Sequence, residues 1–208
     1  MLVITLGACS TKEDEKKKKV EEKRTEKFEQ GAVSENENTY TNEEIGFKFN
    51  YPEKWAIASK EEMSQLWDLG NDFIDNNLDS DLADQFEKGL IQVFPLFMAS
   101  EIPLNEAING TSSIQVIIEK SLFSEEAYLK GTKEQLEAMD AIEYDTGDLE
   151  EVDINGENFH KLPTEMGDLT QTYYAYKMDE YMLLVIVTAV DADAESIMEK
   201  AVMSIEID

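Results

Sequence analysis

Thr170-Gln-Thr-Tyr-Tyr-Ala-Tyr-Lys177, Met178-Asp-Glu180 and Tyr181-Met-Leu-Leu-Val-Ile-Val-Thr-Ala-Val190 follow one another in the chain, and together they decide its fold. The first piece alternates Thr172, Tyr174 and Tyr176 with Tyr173 and Ala175, the period of two that marks a strand. The second is a short polar turn. The third is almost wholly apolar, as a strand covered on both faces must be, so it is expected at the centre of a sheet. On the N-terminal side, the Asn155-Gly156 pair favours a tight hairpin between residues 143–154 and 159–162, which extends the pair into a meander. On the C-terminal side, residues 192–203 read as a helix, with Asp191, Asp193 and Glu195 at its positive end. Ile197, Ala201 and Ile205 form one apolar stripe of that helix, and Met198 and Val202 lie beside it.

Further upstream, Gly46-Phe-Lys-Phe-Asn-Tyr51 alternates as a half-buried strand, and Pro52 to Lys54 turn the chain into Trp55-Ala-Ile57. A helical run follows, with Met63, Leu66, Trp67, Gly70 and Ile74 at three- and four-residue spacing. It continues through Leu78, Leu82 and Phe86, with Asn76-Asn77 as a dividing point. Residues 90–97 and 113–119 read as strands, and Pro95, which lacks an amide hydrogen, implies an edge or a bulge in the first. Ser124 is placed to cap a second helix that turns Tyr128, Thr132, Leu136 and Met139 inward. The fold class that results is α+β, an antiparallel sheet packed between helices, in the order β-β-α-β-β-α-β-β-β-β-α.

The chain carries 46 Asp and Glu against 18 Lys and Arg, a net charge of -28. Nucleic acid is a poor partner for such a surface, because binding phosphates requires a basic face that displaces counterions. The charge is not evenly spread. Residues 10–30 hold eight basic and seven acidic side chains, whereas residues 31–208 hold 10 basic and 39 acidic. Residues 10–39 have too few aliphatic side chains to offset the entropy of ordering, so they are expected to form a disordered, charged tether. Its lysines, which include Lys16 to Lys19, would each add on the order of 1 kcal/mol of attraction to anionic lipid.

Cys9 is the single cysteine, so an internal disulfide is excluded. It follows an apolar run and the residues Leu6, Gly7 and Ala8. That arrangement resembles a bacterial lipobox, which implies lipidation of Cys9, cleavage before it and attachment to the extracytoplasmic face of a bacterial cell membrane. Eight residues without a basic start precede Cys9, fewer than the 15 to 30 of a complete signal, so residues 1–9 read as a truncated one.

Groups for ordinary catalysis are scarce. His160 is the only histidine and follows Phe159 in an expected strand, where a cross-strand or surface role suits it better than that of a base. A zinc site has no set of Cys and His ligands. Residues 75–81 alternate oxygen ligands like a calcium loop, but Ser80 stands where the turn glycine belongs and Phe86 where the bidentate Glu belongs. The glycines do not form a phosphate-binding loop, and Asn109-Gly-Thr111 matches a glycosylation acceptor that is normally idle in bacteria. No cofactor is implied. Carboxylates are abundant enough that a hydrolase using two of them in one cleft stands as the competing class.

Gly46-Phe-Lys-Phe-Asn-Tyr-Pro52 with Trp55, the Thr170 to Val190 hairpin, and the closing Met203-Ser-Ile205 together resemble the PsbP-like domain, an α/β/α sandwich. The resemblance covers residues 40–208 and carries no catalytic residue. It implies a non-enzymatic binding or accessory module of the cell envelope, with another exported protein as its expected partner. A hydrolase, or the solute-binding component of a transporter, is the alternative. Exposed aromatics among Tyr173, Tyr174, Tyr176 and Tyr181 are the expected partner surface.

Overall fold

The apolar run that ends at Ala189 is a central strand, paired along its length on both sides. The computed structural model describes residues 28–65, 93–106, 110–139 and 143–208. In chain order these residues form β1 (Ala32–Ser34), β2 (Thr39–Asn42), β3 (Phe47–Asn50), β4 (Ala56–Ile57), β5 (Val93–Ser100), β6 (Ser113–Lys120), α1 (Glu125–Glu137), β7 (Tyr144–Thr146), β8 (Glu150–Ile154), β9 (Glu157–Met166), β10 (Leu169–Met178), β11 (Tyr181–Ala189), α2 (Ala192–Val202) and β12 (Glu206–Ile207). The strands pair antiparallel in two sheets. One runs β1-β2-β3-β12, the other β4-β5-β6-β11-β10-β9-β7, with β8 also on β9.

Strand β11 divides two apolar cores by simple alternation. Leu183, Val185 and Val187 enter the larger core, which holds Tyr40, Phe47 and Phe49 of the smaller sheet together with Met198 and Val202 of α2. Met182 and Leu184 enter the other, beneath Leu129 of α1. The expected sheet between helices is therefore met in part. The described structure is dominated by its sheets, and on one face a second sheet shares the cover with α2.

Residues 28–39, expected in the tether, belong to the fold. The Phe28 ring meets Phe94 at 5.2 Å and Tyr181 at 5.0 Å, both edge-on. Asn42 Nδ2 donates to the Glu29 carbonyl at 3.0 Å, and the Gly31 amide donates to the Tyr40 hydroxyl at 3.2 Å. One aromatic anchor and a few satisfied backbone groups suffice to hold a stretch whose average composition is polar.

Pro52 to Lys54 turn the chain as expected. With Lys54 in the left-handed region (φ 67°), they carry the chain from β3 of the smaller sheet to β4 of the larger. Residues 143–154 form two strands, β7 and β8, both laid on β9. Between them the Gly147 amide donates to the carbonyl of Pro163, a residue with no amide of its own to return, and Lys133 Nζ donates to the Gly147 carbonyl at 2.9 Å. The expected irregularity at Pro95 is a register shift between Pro95 and Phe97. The Asn155-Gly156 turn forms as expected, with φ of 53° and 95°. Asn155 Nδ2 also donates to the carbonyls of Met203 (3.2 Å) and Ile205 (2.8 Å), tying the turn to the end of α2.

Ile197 and Thr132 depart from their expected faces. Ile197 is 44% exposed, because Ala194, Met198, Ala201 and Val202 form the face of α2 that meets the sheet. In α1, Leu129 and Leu136 are the buried pair, and Thr132 turns its hydroxyl back to the Tyr128 carbonyl. A helical run starts at residue 60 behind a reciprocal cap, Glu62 amide to Ser59 Oγ and Ser59 amide to Glu62 Oε2, and buries Met63. The stripe from Leu66 to Phe86, the segment 75–81, Asn109 and Cys9 lie outside the described residues.

Replacement of the fully buried Met198 by Ala is expected to cost about 2–5 kcal/mol in urea unfolding, and Ile197→Ala no more than about 0.5 kcal/mol. Equal losses would contradict the orientation of α2.

Candidate functional site

Strand β6 leads into α1 through Ser121, Leu122, Phe123 and Ser124, and this corner is fixed from three sides. The Ser121 amide donates to the Glu180 carbonyl at 2.9 Å, and Lys177 Nζ donates to the Ser121 carbonyl. Ser121 Oγ accepts from the Phe123 amide at 3.2 Å. Ser124 caps α1, its Oγ accepting from the Ala127 amide at 3.3 Å as its residue type predicts, and Glu125 Oε1 accepts from the Lys177 amide at 3.0 Å. Between these ties Leu122 and Phe123 stand out at 87% and 64% exposure. An apolar residue just before an N-cap commonly folds back on the first turn; here the backbone is held while both side chains point outward.

Beside them runs a groove of about 730 Å³, floored by Val93, Ala127 and Tyr128. Glu119 reaches into it and accepts from the Tyr128 hydroxyl at 2.8 Å. Burial raises the Glu119 pKa, and the hydrogen bond from Tyr128 partly offsets the rise. Burial, and then the charge of Glu119, holds Tyr128 well above the usual phenol value. The pair supplies one carboxyl and one phenol committed to each other. No Asp or Glu is among the buried polar residues of the described structure, which are Thr39, Asn42, Ser100, Ser112, Ser113, Ser121 and Thr164. Among the described residues no group of three or more His, Cys, Asp or Glu is placed to hold a metal ion, and no helix is long and apolar enough to cross a membrane.

The four tyrosines singled out in the sequence do not form one surface. Tyr174 is buried in the larger core, and burial raises its pKa to about 12. Tyr176 lies over Phe159 at 4.9 Å and donates to Glu157 Oε2 at 2.6 Å, a bond that with burial raises its pKa to about 12. Tyr181 packs on Phe28 at the edge of the same core. Tyr173 faces the opposite way, against the smaller core, with its hydroxyl bonded to Gln171 Oε1. Alternation along β10 separates the pair that adjacency in sequence joins. His160 sits between Glu151 of β8 and Ala175 of β10, 16% exposed, with Nε2 3.7 Å from Glu151 Oε1. That is a cross-strand position. The sequence reading passed over Leu122 and Phe123, although two large apolar residues directly before a cap are a legible signal.

No protein-family model matches the chain, and no curated protein matches it. Among solved structures it is similar to the solution structure of cyanobacterial PsbP (CyanoP) from Synechocystis sp. PCC 6803. The identity is 10%, the TM-score 0.49, and the match spans 82% of this chain and 91% of that one.

The Glu119 carboxyl gives a pH dependence with a definite sign. Its folded pKa lies above the ordinary 4.5, so its contribution is full below that value and declines as pH rises through the folded value. Urea midpoints of the wild type and Glu119→Gln are therefore expected to separate in favour of the variant at neutral pH and to converge as pH falls below 4.5. A constant difference across that range would be incompatible with a carboxyl strained by burial.

Proposed function

We propose that this protein is an extracytoplasmic lipoprotein, anchored in the bacterial cell membrane through Cys9, whose PsbP-like domain is a non-enzymatic binding module for another exported protein. Its contact point is the Leu122–Phe123 corner, and the partner's matching element is an apolar segment that covers both side chains and enters the groove beside them. The observation that carries the reading is the combination of exposure and fixation: a Leu and a Phe open to solvent on a turn held by Ser121, Lys177 and Ser124. A pre-ordered anchor loses little entropy on binding. The lipobox-like Leu6-Gly-Ala-Cys9 supports the anchor, and the charge of -28 supports a soluble, outward-facing domain.

A carboxylate hydrolase calls for two acid groups in one cleft. In the groove beside α1, which Glu134 also lines, Glu119 is hydrogen-bonded to the Tyr128 phenol, and that pairing supports a role in shaping the groove.

Crosslinking in intact cells is expected to recover one stoichiometric exported partner. Leu122→Asp with Phe123→Asp should lower that recovery by at least about tenfold, since each buried apolar anchor contributes roughly 1.5–3 kcal/mol. Both residues are exposed, so stability should stay within about 0.5 kcal/mol of wild type. Unchanged recovery would remove the corner from the interface. For the anchor, mass spectrometry of the native protein should find Cys9 as a diacylglycerol-modified N-terminus, and an unmodified thiol would refute attachment.

A further inference from the structure

We infer that the basic segment formed by residues 12–27 docks, within the same molecule, into the groove between the β2–β3 turn and the β10–β11 turn. This rests on the domain's own surface and not on the proposed lipid anchor. The groove has a volume of about 710 Å³ and an apolar floor that includes Phe28, Ile45, Ile118 and Tyr181. Its rim is acidic on three sides: Glu43 and Glu44 from one turn, Asp179 and Glu180 from the other, and Glu206 of β12 with Asp208 just after it. Lys48 lines it, set 3.5 Å from Glu206, and Lys120 lies 2.9 Å from Glu180, so Glu43, Glu44 and Asp179 are the carboxylates on which the argument rests.

The occupant is identified by where it enters. Phe28, the first described residue, is itself a wall of this groove. Residues 12–27 carry eight basic side chains against six acidic ones, and the bases are concentrated in the unbroken block Lys16 to Lys19, which ends nine positions before Phe28. Nine residues span at most about 30 Å, which keeps the lysine block within reach of the rim at an effective concentration on the order of millimolar. Lysine suits both layers of such a site, its methylene stem lying on the apolar floor while its ammonium meets the carboxylates. A free basic peptide would have to reach that concentration in solution.

The test uses the full chain, with zero-length carbodiimide crosslinking in an equal mixture of ordinary and isotope-labelled protein. Amide links from Lys16–Lys19 are expected to fall mainly on Glu43, Glu44, Asp179 and Glu180, within single copies, and not on Glu134 or Glu137 of α1. Raising the salt to about 1 M, where the screening length is about 3 Å, should cut their yield by about fivefold or more. Glu43→Gln with Glu44→Gln and Asp179→Asn should do the same without shifting the urea midpoint. Links spread evenly over α1, links mainly between copies, or a yield indifferent to salt and to the rim substitutions would each overturn the inference.

Discussion

Strand β11 is the constraint on which the structure depends. It is hydrogen-bonded to β6 on one side and β10 on the other, and its side chains alternate into two separate cores. A polar residue at Leu183 would have to be desolvated in the core that holds Met198 and Phe159, and one at Leu184 in the core that holds Leu129. No face of this strand can be surrendered to solvent. The cover on each side is therefore obligatory, and that explains why a second sheet and α2 are recruited to one face and α1 to the other.

The turn that leads into β11 links this core to the surface. Glu180 fixes the Ser121 amide through its carbonyl, and Lys177, one residue before the end of β10, fixes the Ser121 carbonyl. The corner that presents Leu122 and Phe123 is thus an extension of the same hairpin, held by backbone groups that the sheet has already ordered. The acidic groove lies on the other side of that turn, at Asp179 and Glu180. One hairpin positions both surfaces.

Much of this was legible in the sequence where the signal is local. Period-two alternation located β10, the unbroken apolar run located β11, Asn155-Gly156 located a turn with two left-handed residues, and Ser124 located a cap. Pro95 marked a register shift. What was missed depends on tertiary geometry. Residues 28–39 are polar on average and fold because a single ring, Phe28, finds Phe94 and Tyr181 across the chain. Ile197 fits an apolar stripe by spacing, but the angle at which α2 meets the sheet selects Met198 and Ala201 instead. The tyrosines of β10 were legible as strand residues, whereas the core behind each one was not. Leu122 and Phe123 carry no periodic signal, since they belong to a turn; their place before the Ser124 cap was legible, but only the ties around them distinguish them from a buried staple.

Among the described residues the larger sheet ends on short strands, β4 with two residues on one side and, on the other, β7 with three and β8 with five, laid one after the other along β9. A terminal strand of that length exposes few unpaired amides and carbonyls, so it is a poor template on which a neighbouring polypeptide could add a strand. Pro95 removes another donor from β5, the strand next to β4. For an acidic protein this geometry complements mutual charge repulsion: the repulsion keeps copies apart at a distance, and the truncated ends deny them a way to stack on contact, even where many molecules crowd into a small area.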